Sequence, residues 1–358
     1  MLLALSVNTS ANNNTAISFQ IGNGHIAIAD QTDTTIQNNL VLQAQIGNVN
    51  ESNASQTTGT NNSVTIQSQI GESNGVESYQ TGNTSFSSSL TNQIGSSNSA
   101  KVTQETAIAS SILINQIGSM NTGTVTQLDT TASSAFLYQV DSLNIGTIIQ
   151  SGAHDSSVLV NQIGGPMNVS FIIQGAATKS STLVNQIGSL NMGNVIQTGA
   201  TANSVLLNQI GSENKGSVSQ FGSTASSALL NQTGSMNQNS TVQTSTTTSM
   251  ASSDQIGSIN VALVTQTVGS GNSTLLNQVG SQNVTTVVQI AATANSALIN
   301  QVGSMNDTDI TQLESVLSLA AITQVGSNNM HQTIQTGTTG QAAIVVQIGN
   351  GNVGTTTQ

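Results

Sequence analysis

Polar and small apolar residues alternate along most of this chain, and short breaks interrupt the alternation at regular intervals. Between Ser110 and Gln127, two alternating runs are joined by a break around Gly118. Because alternate residues of a strand point to the same face, each run predicts one β-strand of about seven residues. The pattern recurs every 23 to 25 residues, so the sequence predicts a stack of strand-turn-strand units.

A glutamine at the end of the first strand marks each repeat. The marker occurs at Gln20, Gln45, Gln69, Gln93, Gln116, Gln139, Gln162, Gln186, Gln209, Gln232, Gln255, Gln278, Gln301, Gln324 and Gln347. In letters the repeat is S-x5-Q-x-G-x2-N-x5-Q, with Ser replaced by Asn or Gln in some copies. The two spacings of six place Ser with Gln, and Asn with Gln, on one face of each strand.

The residues between the two strands predict a tight turn whose glycine takes a positive φ. The turn glycines include Gly118, Gly188, Gly211 and Gly234. In the seventh repeat, Gln162 and Asn168 are separated by one extra residue, and the only proline, Pro166, lies there. Both strand spacings survive this insertion, so it supports the division into strands and turn.

Charged residues indicate which strand face is buried, since an unpaired ion in a narrow core would cost several kcal/mol. Eight charges fall within the predicted strands, all on the face opposite the motif Ser, Asn and Gln: Asp30, Glu51, Glu77, Lys101, Lys215, Asp254, Asp307 and Asp309. The motif residues are therefore predicted to face inward.

Stacked inward amides predict hydrogen-bonded ladders along the axis, with partners above and below. Besides the marker glutamines, the predicted ladder residues are Asn50, Asn74, Asn98, Asn121, Asn144, Asn168, Asn191, Asn214, Asn237, Asn260, Asn283, Asn306, Asn329, Asn352, Gln127, Gln150, Gln197 and Gln358. The predicted fold is an all-β, amyloid-like β-solenoid of fifteen rungs with two packed parallel sheets, spanning residues 14–358. Residues 1–13 are interpreted as half a rung or the remainder of a leader.

Composition excludes several classes of function. With three Lys, no Arg and a net charge of -11, the chain is not expected to grip nucleic acid phosphates. It has no Cys, and no apolar run long enough to insert into a membrane as a helix. Its titratable groups are scattered over different rungs, and phosphate-loop and calcium-repeat motifs are absent, so we expect no enzyme activity, cofactor or metal site. His25 and His331 are predicted to face inward in structural roles.

The repeat resembles the curlin repeat, the unit of the extracellular amyloid fibres called curli, over residues 14–358. The resemblance implies a secreted fibre subunit of the biofilm matrix. It also implies partners: a minor curlin that nucleates assembly, an outer-membrane secretion pore and a periplasmic chaperone. A secretion signal is then expected outside this numbering. In that family, selected Asp and Gly residues slow assembly; Asp141, which replaces the turn glycine, and Asp307 and Asp309 are candidates for this gatekeeper role, with tolerated drift as the alternative.

Two surfaces are candidates for self-association. The first is the end of the stack, where we expect the rung ending at Gln358 to receive the first rung of another copy in a head-to-tail contact. The second is a column of large apolar residues three positions before the marker Gln, predicted to point outward: Leu113, Leu159, Leu183, Leu206 and Leu229 are examples. The column is a candidate for contact between neighbouring filaments, and the alternative is that the arcs cover it or that strand twist turns it partly inward. The alternative is a monomeric binding solenoid, an ice-binding or adhesive rod, since Thr124 and Thr126 point outward together.

Overall fold

The fold was determined as a computed structural model that describes residues 2–9 and 11–358, with only the backbone described for residues 2–9 and 11. The chain divides into two compact units, Met1–Lys179 and Ser180–Gln358. Each unit is a β-solenoid in which every repeat forms one rung, seven rungs in the first unit and eight in the second. The predicted fold class is confirmed.

Every rung contributes its first strand to one sheet, sheet A, and its second strand to another, sheet B. In unit 1, sheet A contains β1 (Leu2–Thr9), β2 (Thr15–Asn23), β4 (Leu40–Asn48), β6 (Val64–Glu72), β8 (Ser88–Ser96), β10 (Ser111–Ser119), β12 (Ser134–Ser142) and β14 (Ser157–Ile163). Sheet B contains β3 (Ile26–Asp30), β5 (Glu51–Gln56), β7 (Gly75–Thr81), β9 (Ser99–Glu105), β11 (Thr122–Leu128), β13 (Ile145–Ser151) and β15 (Val169–Gly175). A short 3-10 helix, Ala11–Asn13, separates β1 from β2.

Unit 2 repeats this arrangement. Its sheet A contains β16 (Ser181–Ser189), β18 (Ser204–Ser212), β20 (Ser227–Ser235), β22 (Met250–Ser258), β24 (Ser273–Ser281), β26 (Ser296–Ser304), β28 (Leu319–Ser327) and β30 (Ala342–Asn350). Its sheet B contains β17 (Met192–Thr198), β19 (Lys215–Phe221), β21 (Gln238–Thr247), β23 (Val261–Ser270), β25 (Val284–Ile290), β27 (Asp307–Leu313), β29 (Met330–Thr336) and β31 (Val353–Thr357).

Neighbouring rungs pair in parallel and in register, so each motif residue stands on its equivalent. Gln116 of β10 is opposite Gln93 of β8 and Gln139 of β12, for example. The exception is β1, which runs antiparallel along β2 from Leu2 opposite Gly22 to Thr9 opposite Thr15. A half rung would have placed this segment in sheet B, whereas the structure places it at the edge of sheet A. Met1 and Ser10 lie outside the described residues.

The core between the sheets contains Ile, Leu and Val from both sheets, and the leucines of sheet A pack against glycines of sheet B. Leu137 is fully buried, and a Cβ added at Gly146 would collide with its side chain. Leu207 and Gly216 pack in the same way in unit 2. In the first rungs of unit 1 the equivalent positions are polar instead, and the Ser18 hydroxyl donates to Gln43, whose amide donates to Gln67.

The arc that leads from each rung to the next is more ordered than the sequence indicated. A parallel bridge links successive arcs, as between Ile108 and Thr131. Most arcs also bury one small side chain, such as Ala107 or Ala153, and the first arc buries Ile36. The arcs therefore close the core on the side opposite the glycine turns.

Candidate functional site

The inward glutamines of sheet A form one continuous amide ladder within each unit. The Nε2 of each glutamine donates to the Oε1 of the glutamine in the following rung, at 2.7 to 3.0 Å from Gln20 to Gln162. The same bond recurs at 2.9 to 3.0 Å from Gln186 to Gln347. Many of these Nε2 atoms also donate to a backbone carbonyl across the core, as Gln116 does to Ser99 at 2.9 Å, so the ladder joins the two sheets.

Sheet B carries a second glutamine ladder with the same direction. It runs from Gln31 through Gln127 and Gln150 to Gln174 in unit 1, at 2.6 to 2.9 Å. In unit 2 it runs from Gln197 to Gln358, at 2.7 to 2.8 Å. Each glutamine of both ladders is fully buried in the interior rungs, whereas Gln358 is exposed.

The asparagines after the turn form a ladder of the opposite direction. The Nδ2 of each asparagine donates to the Oδ1 of the preceding one, at 3.0 to 3.2 Å from Asn50 to Asn168. The distances are 2.8 to 3.1 Å from Asn191 to Asn352. The backbone N–H of the later residue also donates to that Oδ1, as Asn74 does to Asn50 at 3.0 Å. The Ser slot has this direction too: the N–H of Ser110 donates to the hydroxyl of Ser87 at 3.2 Å.

Two histidines fill inward positions, as the sequence predicted. His25 stands in for the asparagine of the first rung, and its Nδ1 accepts the backbone N–H of Asn50 at 3.3 Å. His331 lies in the core of unit 2 at 4% exposure, with its Nε2 3.3 Å from the Thr356 hydroxyl. Burial lowers the pKa of His331 below its usual 6.5. Gly354 is opposite His331, and a Cβ there would lie only 2.7 Å from its Nδ1, so the bulky ring depends on a glycine in the next rung.

The turn glycines are required by close approach between rungs as well as by their positive φ. A Cβ built on Gly118, whose φ is +122°, would overlap the backbone carbonyl of Asp141 in the next turn. The turn also has a second left-handed residue, which is not glycine: Met120, with φ 55°, precedes Asn121. Sequence reasoning missed this second position, because its residue type varies from repeat to repeat.

Asp141 occupies the glycine position of the sixth rung with φ 85°. The following turn is the one with the extra residue, and the N–H of its Gly165 donates to Asp141 Oδ2 at 3.2 Å. Strand pairing between β12 and β14 accordingly stops at Val140 and Ile163, two residues earlier than in neighbouring pairs. The longer turn makes room for the aspartate side chain, so two irregularities that looked separate in the sequence form one feature.

The outer face of sheet A carries three parallel columns. The Leu column predicted from the sequence points outward, with Leu90 at 38% and Leu298 at 42% exposure. An Asn column lies beside it, where Asn92 donates to Asn115 at 3.2 Å. The third column, the residue after each marker glutamine, is almost entirely Ile and Val, with Ile70 at 42% and Ile187 at 44% exposure. The third column was not predicted from the sequence, although the residue type at this position varies little from repeat to repeat.

The charges in the strands also lie on outer faces, and none of the eight is buried. Lys101 and Glu77 form an ion pair of 3.7 Å between neighbouring rungs of sheet B. Asp307 has a raised pKa because of partial burial and the nearby charge of Asp309. No group of three His, Asp or Glu in the described part of the chain is arranged to hold a metal ion.

Comparison with known proteins identifies no relative. No protein-family model matches the chain, and no curated protein matches it. In residues 2–9 and 11–358, no helix has the length and apolar character needed to cross a membrane. The structure thus establishes a β-solenoid with buried Gln, Asn and Ser ladders, and function has to be argued from that geometry.

Proposed function

We propose that this chain is a structural subunit that assembles rung on rung into cross-β fibres. The supporting observation is the direction of the amide ladders. Wherever a stack of this kind stops, the Gln ladders leave Nε2 donors on the face toward higher residue numbers and Oε1 acceptors on the opposite face. The Asn ladder leaves the reverse set, so the two end faces of a stack are complementary in the Gln columns and, wherever the end rung carries Asn, in the Asn column as well.

The last described rung presents an open edge on which a further rung can stack. Ile344, Val346 and Ile348 of β30 are 70%, 62% and 74% exposed, whereas Ile210 and Val325 in interior rungs are 39% and 38% exposed. A further rung placed on β30 would cover these side chains and supply hydrogen-bond partners for the open edges of β30 and β31. A head-to-tail contact of this type does not close on itself and therefore produces a filament.

The more specific proposal is a secreted curli-type amyloid of the biofilm matrix. It is supported by the curlin-like repeat and by a thin core in which stacked polar ladders flank buried aliphatic side chains. An extracellular location and the help of a nucleating minor subunit, a secretion pore and a chaperone belong to this proposal. So do the absence of enzyme activity and of bound nucleic acid.

The antiparallel strand β1 favours the second candidate, a monomeric solenoid that binds other molecules as a rod. β1 covers the edge of β2, which is what a cap does in a soluble repeat protein. However, among the described strands β3 at the same end of sheet B pairs on one side only, with β5. The outward threonines that suggested an ice-binding or adhesive face are not maintained, since Thr126 is followed by Ile149 and Ile173 in its column.

The test is to follow assembly of the purified full chain by amyloid-dye fluorescence and electron microscopy, and to block one end face. A small folded domain fused after Gln358 is expected to reduce the elongation rate at least tenfold. The matched control carries the same domain in the seventh turn at Pro166, which is exposed and belongs to a turn and not to the last rung. That control should elongate normally. Persistently monomeric, dye-negative protein, or equal growth of the two fusions, would overturn head-to-tail assembly.

A further inference from the structure

The outer faces of the two sheets differ in charge. Sheet B carries seven of the eight strand charges: Asp30, Glu51, Glu77, Lys101, Lys215, Asp307 and Asp309. Among described outward strand positions, sheet A carries Asp254 in unit 2 and Glu72 at the turn end of β6 in unit 1. A chain with a net charge of -11 repels its copies, so close side-by-side contact is least unfavourable on the sheet face with fewer charges.

On the sheet A face of unit 1, rung 6 differs from its neighbours. Phe136 and Tyr138 occupy the positions that hold Leu113 and Asn115 in the rung before, and both are half-buried. Both line a surface groove of about 560 Å³. These two aromatic side chains are larger than those they replace, so they extend further from the sheet. Aromatic residues, Tyr in particular, are enriched in protein interfaces.

On the sheet A face of unit 2, rung 11 differs in the opposite sense. Ser252 replaces the leucine of the Leu column and is only 8% exposed beneath its neighbours, and Asp254 replaces the asparagine. A groove of about 780 Å³ opens here, lined by residues that include Asn231, Thr233, Asp254 and Leu275. One oxygen of Asp254 accepts a hydrogen bond from Asn231 at 2.7 Å, and a carboxylate can accept several more.

We propose that the sheet A face of unit 1 docks on the sheet A face of unit 2 in a second copy of this chain. Phe136 and Tyr138 of one copy enter the groove at rung 11 of the other, and the Tyr138 hydroxyl donates to the Asp254 carboxylate. A hydrogen bond to a carboxylate is among the stronger ones. The unique aromatic pair of one face thus meets the unique anion of the other.

A second copy fits this face better than an unrelated partner because it has the same rung spacing. Once rung 6 is seated on rung 11, the neighbouring rungs of both molecules coincide at the same interval of about 4.8 Å. Within the two units, five rungs pair if the axes are parallel and six if they are antiparallel, and the outward residues of one strand span roughly 20 Å, which gives a face of roughly 500 to 600 Å². Standard interfaces bury about 800 Å² per partner, so the contact has the size of a weak, transient pair that repetition along a filament would strengthen.

The proposal is independent of head-to-tail assembly, because it uses a side of the stack and not its ends. Loss of side-by-side pairing would leave fibre elongation unchanged, and blocked elongation would leave the pairing intact. The two proposals therefore fail separately.

The chain has no cysteine, so introduced thiols can report the contact. Chains with Asn115→Cys are mixed with chains carrying Asn277→Cys or Asn231→Cys, and a short bismaleimide is added that spans the roughly 10 Å between packed sheets. Seating rung 6 on rung 11 places Asn115 opposite rung 12 if the two axes are antiparallel, and opposite rung 10 if they are parallel. The control mixture combines Thr124→Cys with Thr286→Cys, both on the outer face of sheet B. One of the two sheet A mixtures is expected to give at least ten times the control's yield of linked heterodimer.

The register is tested by making rung 6 regular. The substitutions Phe136→Leu and Tyr138→Asn copy the residues of the neighbouring rung, so the fold is expected to survive, as circular dichroism can verify. Together they should lower the heterodimer yield at least fivefold, and Asp254→Asn should lower it by a smaller factor. The proposal is overturned if both mixtures link no better than the sheet B control, or if the regularised rung pairs as well as the original.

Discussion

The side chains of Gln and Asn carry the same amide but use it in opposite directions in this protein. The longer Gln side chain reaches into the core, where Nε2 bonds both a carbonyl of the facing sheet and the Oε1 of the next rung. The shorter Asn keeps its Oδ1 beside the backbone, where it accepts both the N–H and the Nδ2 of the next asparagine. Because the distance from backbone to amide differs, the two residue types are not interchangeable at the two ends of a strand.

His331 is the residue for which we predict a pH effect. Burial lowers its pKa below 6.5 in the folded state, so the folded rung favours the neutral ring while the unfolded chain binds a proton. Its contribution to stability is therefore complete above pH 6.5 and is lost as the pH falls toward the lowered folded pKa. We expect hydrogen-exchange protection of β29 and β31 to fall by up to about tenfold per pH unit within that window.

The matched variant is His331→Thr, since Thr308 occupies the same inward position in the preceding rung. It should remove the pH dependence of protection in β29 and β31 between pH 7.5 and 5.5. Asp307 and Asp309 lie on the outer face of the preceding strand, and the raised pKa of Asp307 acts in the opposite direction at lower pH. A pH response that survives in the threonine variant would assign it to groups other than His331.

At the scale of single elements, the sixth and seventh turns show how the stack tolerates irregularity. A regular glycine turn excludes any Cβ because the next turn lies directly against it. The aspartate in the sixth turn is tolerated because the seventh turn is longer and bonds its carboxylate. The two departures from the repeat are expected to depend on each other energetically.

We predict this coupling from a double-mutant cycle. Deletion of Pro166 restores a regular seventh turn, which would press against the Cβ of Asp141 and cost on the order of 1 to 3 kcal/mol. The same deletion in an Asp141→Gly chain should lower the free energy of unfolding only slightly, because a glycine in the sixth turn has no Cβ to press against the shortened seventh turn. Denaturant unfolding of the four proteins gives the interaction energy, expected to exceed about 1 kcal/mol. Additive effects would show that the longer turn does not accommodate the aspartate.

The antiparallel strand β1 is predicted to slow fibre growth at the end that it covers. Its register sets Ala4 opposite Gln20, and alanine has no amide with which to continue the glutamine ladder. Another copy must displace β1 before it can pair with β2. Deletion of residues 2–9 should therefore shorten the lag of assembly severalfold, and should speed amide exchange in Thr15–Asn23. Replacement of the segment by a Gly-Ser linker of equal length should give the same acceleration, and an unchanged lag in both variants would rule out a capping role.

At the scale of the whole molecule, charge opposes association while the ladders favour it. The chain has 14 acidic residues against three Lys, and a pI of about 4.1. The charges are confined to outer faces, turns and arcs, so they do not weaken the stack itself but act between copies. Stability of the fold and rate of assembly are thus controlled by different residues.

We predict that assembly at pH 7.5 accelerates severalfold when the salt concentration rises from about 10 mM to about 150 mM, because screening weakens repulsion between copies. Replacing Asp307 and Asp309 by Asn should raise the rate at low salt and reduce its response to salt. The matched control, Ser217→Asn with Ser240→Asn, changes neutral residues on the same sheet face and should leave both unchanged. If the aspartate variant and the control assemble at the same rate and respond equally to salt, Asp307 and Asp309 do not slow assembly.

Much of the fold was predictable because a repeat reports the same environment many times. One Gln or Asn at a strand end indicates little. Fifteen repeats in phase, with every charge of the predicted strands on the opposite face, determine the strands, the inward residues and the parallel stacking. Non-repeating features were harder. The antiparallel pairing of β1 has no second copy in the sequence with which to compare it, and the Ile column was overlooked beside a more conspicuous Leu column.

The sequence by itself thus determined the rung, its inward face and the amide ladders, since these depend on alternation within a strand and on a fixed period. Tertiary structure decided the features that depend on three-dimensional contacts. These are the direction of each ladder, the bridges between successive arcs, the hydrogen bond between Asp141 and the longer seventh turn, and the pairing of β1 with β2. Hydrogen-bond direction and steric fit between rungs involve residues more than twenty positions apart, and alternation along one strand carries no information about them.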